Sequence, residues 1–86
     1  MKIYTLFYKD TGLYNHNIFV CPNDATAIKA MKLNLMDSKN ERFRNECKDG
    51  NVELHVLSEF SEETGCTHIV NKSCCNLKEL LENENE

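Results

Sequence analysis

Residues 2–9 open the chain with a run rich in β-branched and aromatic side chains. Ile3, Thr5 and Phe7 fall on one side of an extended strand, and Tyr4, Leu6 and Tyr8 on the other. Both sides are largely apolar, which predicts a central strand. Asp10-Thr11-Gly12 is a turn signal, because Asp accepts backbone hydrogen bonds and Gly tolerates positive φ. After a polar loop around Asn15, His16 and Asn17, residues 18–21 read as the returning strand. Pro22 ends that strand. Asn23 and Asp24 offer two N-caps for a run without helix breakers over residues 25–37. Ala27, Ile28, Met31 and Leu35 recur at helical spacing and face the sheet, while Thr26, Lys29 and Lys32 lie towards the opposite side. Leu33 and Met36 widen the apolar stripe, and core burial is expected for both.

Residues 38–50 are polar and mixed in charge, and predict a loop with a short helical turn around Phe43. Asp49-Gly50-Asn51 then leads into a strand in which Val52, Leu54 and Val56 alternate with Glu53 and His55 as far as Phe60. The alternation changes phase near Leu57-Ser58, the mark of a bulge. Residues 61–65 form a compact turn, and residues 66–70 pair back. Beyond them residues 76–82 carry a weak helical pattern, and the final Glu and Asn residues predict a frayed end. The order is β-β-α-β-β in an α+β fold, one helix packed on an antiparallel sheet of about four strands. Residues 1–70 form the domain, and residues 71–86 a partly helical tail that is acidic at its end.

Eighty-six residues leave room for one domain. A chain this short buries only about 60% of its unfolded surface, so self-association is an expected source of added stability. Nowhere do eighteen apolar residues run together, so neither a membrane span nor an export signal is expected. The five cysteines are odd in number and two are adjacent, which points to reduced thiols in a cytosol. Net charge is −4, unevenly divided. Through Asn45, seven basic residues stand against four acidic ones, a net of +3; from Glu46 onward, three stand against ten, a net of −7. That asymmetry favours association over broad nucleic-acid affinity.

Candidate chemistry is sparse. Cys47, His55, Cys66, His68, Cys74 and Cys75 are zinc-ligand types, but no C-x2-C pair is present, and no metal or cofactor is expected. No spacing selects a nucleophile with its base, and Glu62 and Glu63 sit in a solvated turn, so no catalytic residue is assigned. No phosphate-binding glycine motif occurs. The stronger pattern is cationic: Lys29, Lys32, Lys39, Arg42 and Arg44 lie within sixteen positions. Such residues can touch phosphates, and Tyr4, Tyr8, Tyr14 or Phe19 could stack on unpaired bases from the sheet surface.

Three blocks carry a resemblance: Met1-Lys2-Ile3-Tyr4-Thr5, Asn23-Asp24-Ala25-Thr26-Ala27-Ile28, and the stretch from Val52 through Glu62-Glu63-Thr64-Gly65. In this order and spacing they resemble the small nonstructural protein encoded by gokushoviruses, the single-stranded-DNA microviruses of bacteria. The likeness spans roughly residues 1–70, and its acidic E-E-T-G turn is the most specific part. It implies a nonenzymatic accessory protein of the infected bacterial cytoplasm, tied to single-stranded DNA synthesis or packaging through DNA binding. The alternative is a module that engages a host or viral protein, or its own copy. Residues 42–48 and the Cys74-Cys75 pair depart from the family pattern.

Overall fold

The computed structural model describes residues 1–37 and 39–82. Its elements follow in the order β1 (Lys2–Tyr8), β2 (Leu13–Tyr14), β3 (Phe19–Cys21), α1 (Asp24–Asp37), α2 (Glu41–Lys48), β4 (Val52–Phe60), β5 (Thr67–Asn76) and α3 (Leu77–Glu82). The α+β class holds, and the antiparallel sheet has five strands among the described residues, in the order β2-β1-β4-β5 with β3 also on β1. The strand over residues 2–9 is central, as its two apolar faces require. Its outer edge is shared: Phe7 and Tyr8 pair with β2, and Lys2, Ile3 and Tyr4 pair with β3. Between the two, the Thr5 hydroxyl lies 2.8 Å from the Asn15 carbonyl and 2.9 Å from that of Asn17. It holds the intervening loop to the sheet where no ladder does.

The helices cover one face of this sheet. Tyr4, Leu6 and Tyr8 of β1 and Val52, Leu54 and Val56 of β4 point into them, with Ala27, Met31 and Leu35 of α1 supplying the opposing surface. Helix α1 starts where expected, and Asn23 is the cap: its side-chain oxygen accepts the Thr26 N–H at 2.9 Å. Leu33 and Met36 depart from the expected burial. The Met31–Leu35 stripe takes the sheet-facing side, so both turn away from it and remain 54% exposed.

The short helical turn expected around Phe43 is a two-turn helix over residues 41–48. Asn40 caps it by accepting the Phe43 N–H at 3.2 Å, and Phe43 and Cys47, four residues apart, give it one apolar side. It ends in reversed backbone: Gly50, at φ +78°, donates to the Cys47 carbonyl at 3.1 Å, and Asn51 donates to that of Glu46 at 3.1 Å.

The phase change near Leu57 is a bulge, since Ile3 pairs with Ser58 but Tyr4 pairs with Val56. Strand β5 answers with irregularities of its own, and Asn71 within it adopts the left-handed conformation at φ +45°. The boundary placed after residue 70 falls inside β5, and Leu77, Leu80 and Leu81 of α3 are buried in the core. Residues 71–82 are therefore part of the domain, and the expected fraying of the last four lies outside the described residues. No helix among the described residues is long and apolar enough to cross a membrane.

Candidate nucleic-acid interface

The cationic residues named from sequence occupy different surfaces. Lys29 and Lys32 project from α1, Lys39 lies in the α1–α2 connection, and Arg42 stands on α2. Arg44 is engaged internally, its guanidinium donating to the Leu35 carbonyl in the last turn of α1. That turn carries no basic residue of its own, so Arg44 supplies the cation that exposed helix-end carbonyls favour. Its assignment to phosphate contact is corrected to a brace between two helices.

One aromatic assignment changes because of burial. Tyr4 is fully buried, and its hydroxyl donates to the Asp24 carboxylate at 2.6 Å. Burial, and then the neighbouring Asp24, raise the phenol's pKa well above its ordinary value. Phe19 lies against it with ring centroids 5.5 Å apart and planes 20° from parallel. Tyr4 is sealed from the surface and cannot stack on a base, whereas Phe19 is half-buried against it.

Tyr8 and Arg42 do come together. With Tyr14, Asn15, His16 and Glu46 they line an open cleft of about 590 Å³, between the β1–β2 turn and α2. Arg42 and Glu46 stand four residues apart on α2 and so share one side of it. The Tyr8 hydroxyl accepts from the Asn15 amide at 3.2 Å. The cleft is thus lined by one guanidinium residue, two tyrosines, one histidine and two carboxylate residues, Asp10 and Glu46. Lys29 and Lys32 are not among its lining residues.

Beside the cleft, on the sheet face away from the core, three rings form a cluster that sequence reasoning did not assemble. The Phe7 ring lies 4.8 Å from Tyr14 and 4.7 Å from His55, and Tyr14 meets His55 edge-on at 5.5 Å. His55 is buried, with Phe7 beside it and Tyr14 from β2 edge-on to it. Its Nε2 is 3.3 Å from Glu53 Oε1. The available signal was the alternation of β1, whose second apolar side demands a covering on the uncovered face.

The thiols and potential ligands remain dispersed. All five cysteines are free, Cys21 is buried, and Cys66 is exposed because it lies in the β4–β5 turn. Burial pushes Cys47 and Cys75 up to about 11 and raises Cys74 as well, so these three stay protonated at neutral pH. Among the described residues no three His, Cys, Asp or Glu side chains are grouped to hold a metal ion. No family model, curated protein or solved structure matches the chain.

Proposed function

We propose that the protein is a nonenzymatic accessory factor that associates with single-stranded DNA, acting in the infected bacterial cytoplasm as the gokushovirus resemblance implies. The carrying observation is the cleft, which Arg42, Tyr8 and Tyr14 line together with Asp10 and Glu46. Backbone phosphate and unpaired base ask for that pairing of cation and aromatic surface. Lys29, Lys32 and Lys39 add long-range attraction from the helix layer, and the net charge of −4 limits affinity away from the cleft.

Fluorescence anisotropy with a labelled single-stranded oligonucleotide, taken across a salt series, tests this reading. Binding weakens as salt rises, and Arg42→Ala lowers both the affinity and the salt slope, the latter by about one. Binding that is absent at low salt, or that ignores salt, overturns it.

A second reading, a protein-binding module, draws on the apolar residues left in solvent: Leu33 and Met36 on α1, and Ile69 on β5, which is 90% exposed. Here Leu33→Ser with Met36→Ser abolishes concentration-dependent self-association in sedimentation and leaves oligonucleotide affinity intact.

A further inference from the structure

His55 carries the one buried side-chain nitrogen or oxygen among the described residues that lacks a hydrogen-bond partner, its Nδ1. With Nε2–H directed at Glu53, Nδ1 presents a lone pair, an acceptor withdrawn from water and left unmet. One of the two rings packed on His55 is movable. Tyr14 belongs to a two-residue strand, the residue is 44% exposed, and its hydroxyl is fastened at the far end by one exposed bond to Asn71 Oδ1, 3.0 Å long. Tyr14 also lines the neighbouring cleft, so rotation to another staggered χ1 position has open space to receive the ring.

From this arrangement we infer that Tyr14 is a gate over a nucleobase site on the uncovered sheet face, in which an incoming base replaces its ring against Phe7 and donates an N–H to His55 Nδ1. The inference rests on the single-stranded DNA reading and deepens it. A nucleobase suits the vacated position on two counts. It is a planar ring of the size that Phe7 and His55 already hold between them, and it carries ring or exocyclic N–H donors that a tyrosine ring lacks. Arg42, across the same cleft, then meets the adjoining phosphate.

The gate makes a prediction opposite to that of a simple stacking platform. Tyr14→Phe keeps the ring and removes the bond to Asn71, so the closed state weakens and the full-length chain binds a labelled mixed-sequence oligonucleotide about threefold tighter. His55→Phe keeps an aromatic ring beneath the site but removes the acceptor, and binding weakens about tenfold. In the wild-type protein the His55 Nδ1 resonance shifts on oligonucleotide addition in nitrogen-detected NMR. Salt-dependent binding by the wild type, combined with unchanged affinity in both variants and an unmoved Nδ1 resonance, overturns the gate while leaving the DNA reading in place. Absence of wild-type binding overturns both.

Discussion

Asp24 opens α1, yet its carboxylate bonds away from that helix, to the Tyr4 hydroxyl at 2.6 Å and the Lys2 ammonium at 3.3 Å. The Tyr4 bond first, and then Lys2, hold the carboxyl below its ordinary range despite partial burial. A carboxyl that titrates lower when folded contributes stability above its unfolded pKa of about 4, and that contribution drains away as pH falls through the folded value. Tyr4→Phe therefore costs about 1 kcal/mol at neutral pH, and urea unfolding shows the gap to wild type narrowing as the solution is acidified below pH of about 4. Gly50 is a second residue whose identity is dictated by backbone. An added Cβ would come no closer than 3.7 Å to Lys78 and 3.9 Å to Asn76, so Gly50→Ala makes ordinary van der Waals contact and pays only for left-handed φ. The same unfolding assay gives a loss of about 1 kcal/mol. The turn at Gly50 was legible from its Asp-Gly-Asn triplet. The bond from Tyr4 to Asp24 was not, because it joins residues twenty positions apart that only the sheet brings together.

At the scale of elements, legibility followed the source of each element's stability. Helix α1 was readable because Ala27, Met31 and Leu35 bury at the spacing that defines a helix face. Helix α2 was obscured because eight residues with a single large apolar side chain rely on the Asn40 cap and the Gly50 stop instead. Strand β5 was read only to Val70, since the next residues, Asn71, Lys72 and Ser73, are polar; an edge strand is held by main-chain bonds to β4 and can leave such side chains in water. Two predictions follow from the element contacts. Leu35→Ala, removing a side chain 1% exposed at the α1–sheet junction, costs about 2–5 kcal/mol in denaturant unfolding. Truncation after Val70 removes the buried Leu77, Leu80 and Leu81 together with more than half of β5, and the shortened chain gives the collapsed amide dispersion of an unfolded protein in NMR.

For the whole molecule, the governing fact is a one-layered sheet with helices on one side and only a ring cluster on the other. Protection should be graded across it: amides of β1 and β4, paired on both edges, exchange slowest in hydrogen exchange, and those of β2 exchange fastest. Uniform protection across these three strands would contradict the topology. The candidate site was half legible on this scale, since Arg42, Tyr8 and Tyr14 could be named but their meeting depends on α2, an element the sequence hid. One further consequence lies in β5. A strand of ten residues on an open sheet border is a template on which foreign strands can grow, the starting point of fibrils and precipitates. The left-handed Asn71, set where the register with β4 slips, interrupts that template in its middle. A concentrated solution of the protein is thereby kept from polymerising edge to edge, and Asn71→Val, which favours straight strand there, shortens the time before thioflavin-positive material forms.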